Sequence, residues 1–137
     1  MKASFKSLLM IALAALVAPA AALANTVPKY SYAQILTSNS TVDLIPTTSA
    51  TGDIYGIKCI FPSSAGGASV NVKFTVDGGT THTITIDPTF FEQDEGSQYV
   101  SAWIPTNIAF QTSIHVQLNN TSLGTATINC WASWATT

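Results

Sequence analysis

Val70-Asn71-Val72-Lys73-Phe74-Thr75-Val76, then Asp77-Gly78-Gly79, then Thr80-Thr81-His82-Thr83-Ile84-Thr85-Ile86: this stretch decides the fold. In the first run Val70, Val72, Phe74 and Val76 alternate with Asn71, Lys73 and Thr75. A period of two places oily side chains on one face of a strand and polar ones on the other. Glycine readily takes the positive φ of tight hairpins, so Asp77-Gly78-Gly79 reads as a turn. Beyond it Thr81, Thr83 and Thr85 alternate with His82, Ile84 and Ile86, and Asp87-Pro88 ends the pattern. The stretch is therefore a β-hairpin with one buried and one wet face.

The same rhythm extends in both directions. Residues 30–36 read as a first strand and 41–45 as a second, stopped by Pro46. Residues 53–61 form a third, with Ile57, Cys59 and Phe61 on one face. After the hairpin, 98–104 returns to strand before Pro105. Residues 112–119 alternate Ile114, Val116 and Leu118 with Ser113, His115 and Gln117. Residues 120–124 turn the chain, and 125–134 completes a second hairpin, with Ile128, Cys130 and Trp134 sharing a face. About eight short strands separated by Pro, Gly and Asn make an all-β domain, an antiparallel β-sandwich of jelly-roll-like or Ig-like type. The strand order stays open at this level.

The N-terminal residues follow a different pattern. Lys2 and Lys6 precede an apolar run over 8–17, and Ala22-Leu23-Ala24 offers small residues at cleavage positions. This is the layout of a secretory signal peptide over 1–24, and its alanine-rich composition is bacterial in type. A single secreted domain is expected over 25–137, in the periplasm, at the cell surface or outside the cell. No second apolar stretch in that part is long enough to span a membrane. Cys59 and Cys130 are the two cysteines of the chain. In an oxidising compartment they are expected to form one disulfide, either across the interior or between adjacent strands.

Charge narrows the partners. Residues 25–137 hold Lys29, Lys58 and Lys73 against seven carboxylates, and the chain has no arginine. A nucleic-acid surface needs clustered cations, so that class is excluded.

Chemistry is narrowed by what is missing. There is no Gly-x-Ser-x-Gly, no thiol set beside a base and no glycine-rich loop opening a helix. His82 and His115 fall mid-strand and read as surface or rim residues. No three ligands stand at zinc spacing. No catalytic residue and no cofactor is assigned. The acidic run Asp87, Glu92, Asp94 and Glu95 is the only metal candidate, for calcium, because loop carboxylates supply hard oxygen ligands. A charged turn that keeps a sheet edge from pairing is the plainer reading of those residues.

Aromatic residues out of phase with the core are the stronger signal. Trp131 falls opposite the Ile128, Cys130 and Trp134 face. Tyr99 and Trp103 alternate with Val100 and Ile104, so if the latter point inward the former point outward. Rigid exposed rings give a binding surface at low entropy cost. Tyr99, Trp103 and Trp131 are thus the candidate binding or assembly surface, for copies of the same chain or for a surface glycan. The reading that follows is a non-enzymatic exported module acting through its surface, as a fibre or coat subunit or an adhesin-type domain. A monomeric carbohydrate-binding domain is the alternative. A virion-type jelly roll and a secreted hydrolase rank below both.

Overall fold

In the computed structural model, the described residues are 28–35, 39–62, 69–88, 91, 98–121 and 127–137. Nine strands follow one another: β1 (Lys29–Ile35), β2 (Thr41–Thr48), β3 (Gly52–Phe61), β4 (Val70–Val76), β5 (Thr80–Ile86), β6 (Tyr99–Val100), β7 (Ile104–Phe110), β8 (Ile114–Asn120) and β9 (Ile128–Thr136). The hairpin is β4 and β5, paired in unbroken register from Val70↔Ile86 to Val76↔Thr80. Its turn has positive φ at Asp77 (51°) and Gly78 (71°), and the Gly79 N–H donates to Val76 O at 3.1 Å. That is the primed geometry that matches the twist of paired strands.

All pairings are antiparallel, and they build two sheets. The first runs β1-β9-β3, with β6 and β7 sharing the far edge of β3; the second runs β2-β8-β4-β5. Apart from β4 to β5 and β6 to β7, each strand is followed by one in the opposite sheet. This weave settles the strand order in favour of the jelly roll. Between the sheets lies one core. Ile54, Ile57, Phe61, Phe110 and Ile128 of the first sheet meet Leu44, Val72, Phe74, Val116 and Leu118 of the second. No helix among the described residues is long and apolar enough to cross a membrane.

Three expectations are corrected. Pro46 does not end the second strand: β2 runs on to Thr48, with register shifts between Asp43 and Ile45 and between Ile45 and Thr48. Pro105 lies inside β7, a strand the sequence pattern did not reveal. Proline is excluded from central ladders but tolerated on edges and at bulges, and both strands are edges that pair on one side only. Finally, β8 and β9 are not a hairpin. They lie in opposite sheets, each flanked by two other strands. Turn residues mark where a chain reverses; they do not say whether it returns in the same sheet.

Cys59 and Cys130 form the disulfide, with Cα atoms 4.2 Å apart. They are direct cross-strand partners on β3 and β9, and both are fully buried. The bond therefore pins neighbours in the first sheet and does not cross between sheets.

Asp77 has a role that its place in the turn hides. Its Oδ1 accepts from the backbone N–H groups of Gln111, Thr112 and Ser113 at 2.9, 2.7 and 3.1 Å, and from the Thr112 hydroxyl. It thus ties the hairpin tip to the β7–β8 connection. These donors, led by the Thr112 amide, hold its carboxyl at about 2, below the ordinary 3.8.

Candidate functional site

A bulge in β3 shapes the outer face of the first sheet. The ladder shifts register between Ile54 and Gly56 against both β9 and β7. An extra residue changes the parity of a strand. Ile54 is buried on one side of the shift, and Ile57, Cys59 and Phe61 on the other. Against β9 Tyr55 is the extra residue, and it stands outward, 39% exposed; against β7 the extra residue lies on β7, between Pro105 and Ile108. The Thr106 hydroxyl donates to Ile54 O at 2.9 Å beside the shift.

Around this bulge the register places outward residues in rows. Tyr30, Ser133 and Gly56 form one row across β1, β9 and β3; Tyr32, Trp131 and Lys58 form the next. Tyr30 is 69%, Tyr32 53% and Trp103 45% exposed. Tyr32 and Trp131 pack ring to ring with centroids 5.2 Å apart, and Tyr30 reaches Trp103 at 6.2 Å. Such tilted pairs stabilise each other and fix ring positions. The Tyr32 hydroxyl and the Gln34 amide both donate to Asn129 Oδ1, at 2.7 and 2.9 Å.

Two shallow hollows flank Trp103, each of about 230 Å³. One is lined by Tyr30, Tyr55, Gly56, Trp103 and Ser133, the other by Lys58, Ile60, Trp103 and Trp131. The first exists because Gly56 and Ser133 are small. A Cβ at Gly56 would lie 3.0 Å from Ile104 O and 3.6 Å from Trp103 Cε3. Charges on this face are few. Lys29 is not among them: it shares the inward phase of Ala33 and Ile35 at the end of β1, where it donates to Thr136 Oγ1 at 3.0 Å and sits 5.2 Å from the Trp134 ring centroid. Trp134 is buried, and its indole N–H donates to Ser31 Oγ at 2.9 Å.

Of the three aromatics singled out from sequence, the structure brings Trp103 and Trp131 to one face. Tyr99 is elsewhere: it pairs opposite Phe61 and packs half-buried against the core. Parity does not carry from Tyr99 to Trp103 because 101–103 leave the ladder. Ser101 turns inward there. Its N–H donates to Cys59 O at 2.9 Å, and its Oγ accepts from the Cys59 N–H at 2.8 Å. Sequence reasoning passed over Tyr30, Tyr32, Tyr55 and Lys58. Tyr30 and Tyr32 were within reach, since Ala33 and Ile35 fix the inward phase of β1; Tyr55 was hidden by the bulge.

The calcium candidates are not assembled among the described residues. Glu92, Asp94 and Glu95 lie outside them, and no three His, Cys, Asp or Glu side chains among the described residues come close enough to hold a metal. His82 is exposed on β5. His115 on β8 donates from Nε2 to Asp43 Oδ1 at 2.8 Å. That hydrogen bond, opposed by burial and joined by one from Gln117, holds the Asp43 carboxyl below its ordinary value. A larger groove, about 710 Å³, lies between β5 and β7; Thr81, His82, Thr83, Thr106 and Asn107 are among its lining residues.

No protein-family model and no curated protein matches this chain. Among solved structures, it is similar to the exo-beta-1,3-galactanase of Phanerochaete chrysosporium, crystallised with galactose. The match covers 80% of this chain and 29% of that one, at 11% identity and a TM-score of 0.34. At that level no function passes from the enzyme to this chain.

Proposed function

We propose that this chain is an exported, non-enzymatic β-sandwich module that holds a carbohydrate chain against the aromatic outer face of its first sheet. The observation carrying this reading is the pair of ring-walled hollows beside Trp103. Flat rings receive the apolar faces of sugars, while hydroxyl and amide groups around them meet sugar hydroxyls. Rings already fixed on a sheet lose little freedom when a ligand arrives. Among the described residues, those lining the hollows include no carboxylate, thiol or imidazole. Glycosidic hydrolysis by the usual route needs two carboxyl groups astride the bond; holding a sugar needs none. Export rests on the leader-like pattern of 1–24, and the disulfide fits an oxidising compartment.

The test is native electrophoresis of residues 25–137 through gels containing polysaccharides of several classes, with size-exclusion chromatography alongside. The expected result is a monomer retarded by at least one polysaccharide, with no reducing sugar released. Unaltered migration in every gel ends the reading.

Assembly is the second reading, and the β5 edge favours it. Two other edges are guarded, β2 by Pro46 and two register shifts, β7 by Pro105, a register shift and Asn107 at φ 49°; β1 pairs with β9 without a break but carries Lys29. β5 pairs with β4 without a break, and Thr80–Ile86 contains no proline, lysine or carboxylate. An unguarded edge of this kind accepts a strand from another copy. Large oligomers that collapse on Thr83→Lys would carry this reading over the first.

A further inference from the structure

Lys58 narrows the kind of sugar. We infer that the hollow between Trp103 and Trp131 takes an acidic sugar, a ring bearing a carboxylate, with that carboxylate against Lys58 Nζ and the ring against the indoles. This rests on the carbohydrate reading above.

Lys58 is half-buried and is the register partner of Trp131; with Ile60 and the two tryptophans it lines the hollow. It makes no ion pair among the described residues. Lys29, the other cation of the first sheet, already holds the Thr136 hydroxyl. The acid on β3 is Asp53, beyond the Gly56 bulge and five residues from Lys58, roughly 16 Å of extended strand. An ammonium group beside apolar rings loses part of its water, and among the described residues Lys58 has gained no counter-charge in return. A ligand carboxylate restores the pairing, and a partly water-excluded setting strengthens the bond. A neutral sugar uses the rings and leaves the cation as it is. An inorganic anion uses the cation and leaves the rings idle. A carboxylated ring uses both.

The experiment is calorimetry on the whole mature protein with oligosaccharides of galacturonate, mannuronate and glucuronate. Each is paired with the neutral oligomer made by reducing its carboxyl groups. One acidic oligomer is expected to bind at least roughly tenfold more tightly than its neutral partner, as a single charge-assisted hydrogen bond allows. Lys58→Gln should erase that margin and Lys58→Arg should keep most of it, both at unchanged melting temperature. Salt of about 1 M, where screening acts within ~3 Å, should narrow it. Equal binding of acidic and neutral forms, or a Lys58→Gln protein as selective as the parent, overturns the acidic-sugar assignment and leaves the carbohydrate reading standing. Binding to neutral oligomers alone has the same meaning. If neither class binds, and the gels of the earlier test also show no retardation, both readings fall together.

Discussion

On the outer face of the second sheet, polar side chains hydrogen-bond to one another; on that of the first, rings face the solvent. Asp43 accepts from His115 and Gln117, Asn119 donates to Thr41, and Thr85 donates to Asn71. Those contacts join neighbouring strands and pair several of that surface's polar groups with one another. Tyr30, Tyr32, Tyr55 and Trp103 instead hold large apolar areas in water. The two faces share one rule of alternation and differ only in residue type. Phase decides which side chains leave the core; chemistry decides what they do once outside. The proposed contact surface rests on this cluster of exposed rings on one side of the domain; single exposed rings carry no such meaning.

The largest effect expected from perturbing this contrast comes from the disulfide. It lies within the first sheet, directly beneath the row that carries Trp131 and Lys58. It links residues 71 apart, so replacing both cysteines with alanine should lower stability by about 4 kcal/mol on the chain-entropy scale. Denaturant unfolding measures the loss. Hydrogen exchange should show β3 and β9 loosening before β4 and β8; equal loosening of both sheets would mean the bond supports the whole sandwich alike.

Next in size is Trp103→Ala. Removing an anchor ring between two hollows should weaken ligand binding by about 2 kcal/mol, roughly thirtyfold. Lys73→Ala, an exposed cation on the second sheet, should leave binding unchanged. Calorimetry on the two variants compares the faces directly. A Trp103→Ala protein that melts early and binds normally would make the ring a packing element.

The smallest effect is the acid response of Asp77. Its carboxyl sits at about 2 in the fold against an ordinary 3.8, so its stabilising share is complete above that ordinary value. The share is lost as pH falls from 3.8 towards about 2, because protons then bind the unfolded chain first. Asp77→Asn should lower the melting temperature at neutral pH and flatten its decline through that window. Thermal melts across the range read it, and an unaltered acid limb would assign that limb to other carboxylates.

The sandwich was legible because period-two patterning is a local signal: β4, β5 and β8 each state their inward faces in their own residues. The fully buried pair Cys59 and Cys130 was legible for the same reason, in phase with Phe61 and Ile128. What local patterning lacks is knowledge of neighbours. Pro46 and Pro105 look like terminators until their strands are known to be edges. β8 and β9 look like a hairpin until each is seen between two other strands. For the site, Trp131 could be found by parity within β9, but Trp103 was placed outward on a count that does not survive the break at Ser101. Tyr55 and Gly56 depend on a ladder shift that involves β7 and β9 as well as β3, and no single segment announces it.

The added residue in β3 has a consequence for how this protein can vary. Deleting Tyr55 would return the strand to strict alternation, and Ile54 and Ile57 could no longer both point inward. Either the interior would lose an isoleucine or every later position in the strand would flip sides, Cys59 included. The cavity wall and the hydrophobic interior are thus coupled through one backbone irregularity. Relatives of this chain that recognise different ligands should therefore keep the length of the 52–61 segment and diversify by exchanging side chains at 55, 58, 103 and 131.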